Sequence, residues 1–158
     1  MKKPINLGDS SKFVSYKTNG ITNCLDLCKM ILNNYGLTKY EGEETVKKYC
    51  PKYFIARTSW LYGIHGKNFV ETMISLADKP ELKVVDDQVG CPTWTVELAN
   101  GIVKLLQTKD YGTYHVCGSG STSWYGFAKE IFEKMGLDVN LKPCTTDEFP
   151  RPAKRPAN

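Results

Sequence analysis

The stretch YGLTKYEGEETVKKYCPKYFIARTS, residues 35–59, decides the fold class. Residues 35–49 are rich in Glu and Lys, both good helix formers, and Pro51 stops the helix they predict. Tyr53-Phe54-Ile55-Ala56-Arg57 then reads as a short buried strand, ended by Thr58-Ser59. The chain downstream keeps this alternation going. Asn68 to Ala77 places Phe69, Met73, Leu76 and Ala77 on one helical stripe. Leu82 to Val85 is a second strand, running into Asp86-Asp87. Thr95 is expected to cap a helix carrying Val96, Ala99, Val103 and Leu106, with Glu97 well placed for the helix dipole. Thr113 to Cys117 is a third strand, followed by a Gly118-Ser119-Gly120 turn. Ser123 caps a last helix with Trp124, Phe127, Ala128, Ile131, Phe132 and Met135 at helical spacing, closed by Gly136. Val139 to Leu141 is expected as a final short strand ahead of an irregular, proline-rich tail. Helices and strands alternating in this way define an α/β chain.

Upstream of Tyr35 the character changes. GDSS, FVSY, KTNG and ITNCLDLCKM follow one another without sustained periodicity. The chain therefore divides into a poorly patterned segment, residues 1–32, and a regular α/β portion, residues 33–158. No internal repeat is evident.

At 158 residues the chain is about one domain's worth, long enough to bury a core. Its 41% hydrophobic and 24% charged residues are ordinary for a globular protein. The net charge of +4 comes from scattered lysines, and the densest basic stretch, Lys142 to Arg155, interleaves its cations with prolines and acids. That argues against a nucleic-acid partner, which needs a basic face. No run approaches the roughly 18 apolar residues of a membrane span, and MKKPINLGDSSKF has no apolar segment behind its lysines, so neither a membrane nor a secretory signal is expected. Six cysteines (24, 28, 50, 91, 117 and 144) without a signal peptide read as free thiols in a reducing cytoplasm. Cys24 and Cys28, four apart, lack a second Cys/His pair, so no metal is expected. Cys91 is read as a filler thiol, His115 as structural and Asp86-Asp87 as turn formers.

The sharpest chemical pattern is Tyr35-x-x-x-Lys39 at the start of the first predicted helix. Four residues apart on a helix is one face, so phenol and ammonium can converge. A cation beside a tyrosine favours its phenolate, and a phenol tuned this way can give a proton to a carbonyl oxygen while hydride reaches the carbon. The lysine can also hydrogen-bond a ribose.

The context of this pair resembles a known family. Asn33-Asn34-Tyr35-Gly36-Leu37-Thr38-Lys39-Tyr40-Glu41-Gly42-Glu43 is similar to the catalytic helix of extended short-chain dehydrogenases/reductases, and Ala56-Arg57-Thr58-Ser59-Trp60-Leu61-Tyr62-Gly63 to the strand end that follows it. Gly66 to Val70, Val84 to Thr93 and Pro152 to Asn158 narrow the resemblance to the dTDP-4-dehydrorhamnose reductase family, over residues 33–158. The resemblance implies an incomplete Rossmann-like α/β fold: the C-terminal portion, with its substrate-binding lobe. It implies Tyr35 as proton donor, with Lys39 its partner at the ribose of NADPH or NADH. Thr58 and Ser59 would lie near the nicotinamide, and Trp60 would pack against the sugar nucleotide. Asn68, Phe69, Gln88, Gly90, Pro92 and Thr93 would shape the substrate pocket, and Arg155 would serve substrate phosphate or packing. Trp60 as a core aromatic stays open beside this, and the aromatic stripe of the last helix reads as core.

In that family the cofactor lies on a Rossmann half ahead of the tyrosine. Only 34 residues precede Tyr35, and Gly8 and Gly20 make no glycine-rich turn; Gly118-x-Gly120 is no fingerprint either. The family's upstream Ser/Thr is assigned to none of Ser10, Ser11 and Ser15. The expectation is thus a chain without its pyrophosphate-binding half, inactive alone, presenting an exposed apolar face or edge, and partnered by a missing N-terminal half or a second copy. The expected ligand is a nucleotide sugar. A non-catalytic sugar-nucleotide-binding or regulatory subunit, as in methionine adenosyltransferase, and a degenerate remnant are the alternatives.

Overall fold

The computed structural model describes residues 13–18, as backbone, and 34–149. Among these residues four helices and nine short strands follow in order: β1 (Phe13–Thr18), α1 (Asn34–Tyr49), β2 (Phe54–Arg57), β3 (Leu61–Tyr62), α2 (Phe69–Ser75), β4 (Leu82–Val85), β5 (Val89–Gly90), β6 (Thr93–Trp94), α3 (Thr95–Leu106), β7 (Gly112–Gly118), β8 (Thr122–Ser123), α4 (Trp124–Met135) and β9 (Leu141–Cys144). The α/β class follows the sequence reading.

Two packed units carry the fold. In the first, β7 is the centre of a three-stranded sheet ordered β1-β7-β2. β2 runs parallel to β7, with Ile55 opposite Thr113, while β1 is antiparallel, with Ser15 opposite Val116. Helix α3 covers this sheet: Leu105, Tyr114 and Val116 are buried together, with Phe54, Ala56 and Leu98 packed around them. In the second, the parallel pair β4-β9 is covered by α2 and α4, whose Met73, Ala128, Ile131 and Phe132 bury against Leu82 and Val84. Two small ladders, β3-β6 and β5-β8, stitch the connecting loops together.

Several boundaries differ from the sequence reading. β1 lies in the stretch without periodicity; an open edge of β7 recruits it through backbone hydrogen bonds, which demand no side-chain pattern. Thr95 is not the cap of α3. The residue before that helix is Trp94, with no side-chain cap bond, because β6 runs straight into the helix and the Thr95 hydroxyl lies against Gly63. The stripe Val96, Val103 and Leu106 faces outward, and the core face is Leu98, Gly101 and Leu105. The last strand is Leu141–Cys144 rather than 139–141, since pairing with β4 runs on to Val85 opposite Cys144. The ends of α4 are as read: Ser123 Oγ accepts from Gly126 N–H at 2.9 Å, and Gly136 closes the helix at φ 65°. Among the described residues no helix is long and apolar enough to cross a membrane.

Candidate active site

Helix α1 buries none of its residues, and Tyr35 in its first turn is 72% exposed. One turn on, Lys39 Nζ lies 5.5 Å from the centre of the Tyr35 ring, close enough for a cation–π attraction. The two groups thus share the face their spacing predicts. One turn further, Glu43 receives two hydrogen bonds from Arg57, Nε to Oε1 at 2.8 Å and Nη2 to Oε2 at 2.6 Å. Both side chains are largely buried, at 20% and 13% exposure, so this bidentate pair ties α1 to the end of β2.

The anchor places the rest of the face. Residues 50–53 connect α1 to β2. Glu43 meets Arg57, the last residue of β2. With a rise of about 1.5 Å per residue, Tyr35 lies roughly 12 Å further along the helix axis. Thr58 and Ser59 follow β2 directly and are exposed.

A second group gathers around Trp60. Its φ of 48° is left-handed, and its indole stacks on Trp124 with ring centres 3.5 Å apart and planes 11° apart. Phe69 packs against Trp124 at 4.6 Å and against Phe127 at 5.5 Å. A side chain at Gly90 would strike the Trp60 ring, its Cβ falling 2.5 Å from Cε2. Thr93 is fully buried: its N–H donates to Trp60 O at 3.1 Å, and its hydroxyl donates to Cys91 O and accepts from Gly118 N–H. Ser59 Oγ donates to Cys91 O at 3.1 Å, linking the strand end to the β5-β6 loop. Pro92 lies half-buried in that loop.

Two candidate pocket residues make side-chain hydrogen bonds to the scaffold. Asn68 caps α2, accepting from Glu71 N–H and donating to Gly63 O and Gly66 O. Gln88 donates to Thr146 Oγ1 at 2.9 Å. The neighbouring carboxylates hold the same loop, Asp86 by accepting from Ser123 Oγ and Asp87 from the Thr146 hydroxyl and N–H. The Thr146 bonds lower the Asp87 pKa below the usual carboxylate value. Burial, with the Cys91 thiol beside it, pushes the Cys117 thiol up, an environment that suppresses thiolate chemistry. Among the described residues no group of three or more His, Cys, Asp or Glu could hold a metal ion. Arg155, Cys24, Cys28, Ser10 and Ser11 lie outside the described residues.

The structure therefore brings the sequence-predicted residues into two sets, Tyr35-Lys39 on α1 and Trp60 with Phe69, Gly90 and Thr93 on the lobe. Arg57, adjoining Thr58, joins them. Sequence reading missed the Glu43 anchor, although Glu43 stands eight residues from Tyr35 on the same helical face. It also assigned Trp124 to core alone; spacing cannot tell a core ring from one that supports a site.

Comparison with known proteins gives the family of the chain. Residues 29–158 match the RmlD substrate binding domain. The chain is 47% identical over 124 residues to the spore coat polysaccharide biosynthesis protein SpsK of Bacillus subtilis, covering 78% of this chain and 44% of that protein. It is 42% identical over 139 residues to dTDP-4-dehydrorhamnose reductase of Escherichia coli, covering 80% and 46%. The crystal structure of dTDP-4-dehydrorhamnose reductase from Bacillus anthracis in complex with NADP superposes with a TM-score of 0.77 at 51% identity, over 80% of this chain and 45% of that one. The chain thus spans about half the length of the relatives it matches. With the family match covering residues 29–158, the chain belongs to the RmlD substrate binding domain family.

Proposed function

We propose that this chain provides the proton-donating helix and the sugar-nucleotide lobe of an NAD(P)H-dependent reductase acting on dTDP-4-dehydrorhamnose in the cytoplasm, giving dTDP-L-rhamnose. The observation that carries the reading is the Tyr35-Lys39 pair on α1, the helix that Glu43 ties to Arg57 at the end of β2. Relatives named for this reaction, and one solved with NADP, support it.

The residues present fit the ribose end of such a cofactor. Lys39 presents an ammonium on the exposed face beside Tyr35, and Thr58 and Ser59 add hydroxyls at the strand end. No glycine-rich turn for a pyrophosphate is found among the described residues, so that part of the site would come from elsewhere. When bound, the nicotinamide supplies hydride. Tyr35 Oη gives its proton to the sugar's carbonyl oxygen, which becomes the new hydroxyl. The Lys39 charge stabilises the phenolate left behind and orients a ribose hydroxyl. Trp60 and the β5-β6 loop wall the sugar and exclude water from the reacting carbon.

The test is NADPH oxidation with dTDP-4-dehydrorhamnose by the chain alone and by the chain supplemented with the first half of a relative. Turnover is expected only in the supplemented mixture, with Tyr35→Phe lowering kcat by about 10²-fold or more. Parent-like turnover by Tyr35→Phe would remove the proton-donor assignment. Sugar-nucleotide binding without turnover in any mixture would favour a non-catalytic binding subunit.

A further inference from the structure

Trp60 is the only non-glycine among the described residues with a left-handed φ. For a bulky residue that conformation is strained and persists only where surroundings over-determine it. Three contacts do so here. The Trp60 carbonyl accepts from Thr93 N–H at 3.1 Å. The indole lies flat on Trp124 at 3.5 Å, and Phe69 braces Trp124 at 4.6 Å. The indole's Cε2, Cζ2 and Nε1 rest so near Gly90 that a Cβ there would lie 2.5–2.8 Å from them. Gly90 and the first turn of α4 are themselves locked together, because β5 pairs with β8 directly before Trp124.

We infer that Trp124 and Gly90 are positioning residues that fix the Trp60 indole, in its strained backbone setting, as a preformed wall for the sugar end of the ligand. This rests on the sugar-nucleotide reading above. Trp124 occupies one face of the indole, so a ligand meets only what remains of it. Gly90 acts by leaving room for the ring rather than by touching ligand. The aromatic stripe of α4 therefore does two jobs: Ala128, Ile131 and Phe132 fill the core, while Trp124 sets the wall. Preorganisation of this kind raises affinity by removing the cost of ordering the side chain on binding.

The experiment uses the whole chain, with dTDP-L-rhamnose as probe. Two indoles in van der Waals contact couple excitonically, so far-ultraviolet circular dichroism reads the stack without ligand. A couplet is expected in the parent, lost in Trp60→Phe and Trp124→Leu, reduced in Gly90→Ala, and kept in Trp94→Phe, whose 41%-exposed indole lies outside the stack. Calorimetric titration is expected to show binding weakened about tenfold in Trp124→Leu and Gly90→Ala, the scale of one lost aromatic contact, and mostly restored in Trp124→Phe. A parent without a couplet, or parent-like affinity in both Trp124→Leu and Gly90→Ala, would overturn the proposal. A parent that shows the couplet yet does not bind the probe overturns the sugar-nucleotide reading, and the ligand-facing role of the wall with it.

Discussion

Helices α1 and α4 are both long, charged on their outer faces and legible in the sequence, yet they are held in opposite ways. α4 buries Ala128, Ile131 and Phe132 in a core shared with α2 and β4. α1 has no fully buried residue, leaves Tyr35 and Tyr49 at 72% and 68% exposure, and meets the sheet through the bidentate Glu43–Arg57 ion pair. The difference teaches where stability and chemistry reside. The lobe is fixed by packing. The helix that bears Tyr35 and Lys39 keeps an open surface, as the role proposed for that pair requires.

The comparison breaks most sharply at Phe132. Phe132→Ala is expected to destabilise the chain by about 3–5 kcal/mol, since the ring is buried and its loss leaves a cavity. Chemical denaturation followed by far-ultraviolet circular dichroism checks this, and a change below 1 kcal/mol would mean that the lobe core is not what holds the fold. Arg57→Met should act next, leaving Glu43 without its two charged bonds at about 1.5–3 kcal/mol. Its signature is local: amide exchange should speed up across residues 34–49 while α4 stays protected. Uniform loss across both helices would show that α1 and the lobe unfold as one.

A pH scan sharpens the contrast within the sheet unit. Burial, with Asp110 beside it, pushes the Tyr114 phenol up to about 12, and its hydroxyl donates to the Asp110 carbonyl. A raised pKa means that the folded state holds the proton more tightly. This stabilisation is complete below the unfolded value of about 10 and is lost as pH rises from there through about 12. Melting temperature should therefore fall over that window, and Tyr114→Phe should flatten the fall. The smallest effect is expected at Tyr35. Tyr35→Phe removes an exposed hydroxyl and should shift stability by less than about 0.5 kcal/mol, whatever it does to turnover. A larger loss would mean that the phenol is structural.

Much of this was legible because local chemistry and tertiary packing agree. Proline after α1, serine before α4 and glycine after it mark ends that any environment would respect. The Tyr35-Lys39 spacing fixed a shared face once a helix was granted. Elsewhere the deciding term was non-local. The β1 segment carries no strand pattern, and only the edge of β7 makes it one. On α3 two apolar stripes compete, and the sheet beneath selects Leu98 and Leu105 over Val96 and Val103. The outward stripe leaves Val103 at 54% and Leu106 at 62% exposure. For Asn68 and Gln88 the type of residue was consistent with a pocket, but their hydrogen bonds go to Gly63, Gly66 and Thr146, partners fixed only by the fold.

By itself the order of residues determined an α/β chain, its main helices and a phenol one helical turn from an ammonium, because spacing along a helix is a covalent fact. Tertiary structure alone decided that Glu43 would clasp Arg57, that Trp60 would be forced left-handed under Trp124, and that Gly90 would have to stay bare. Those outcomes depend on segments distant in sequence meeting in space, and no local periodicity encodes which partner arrives.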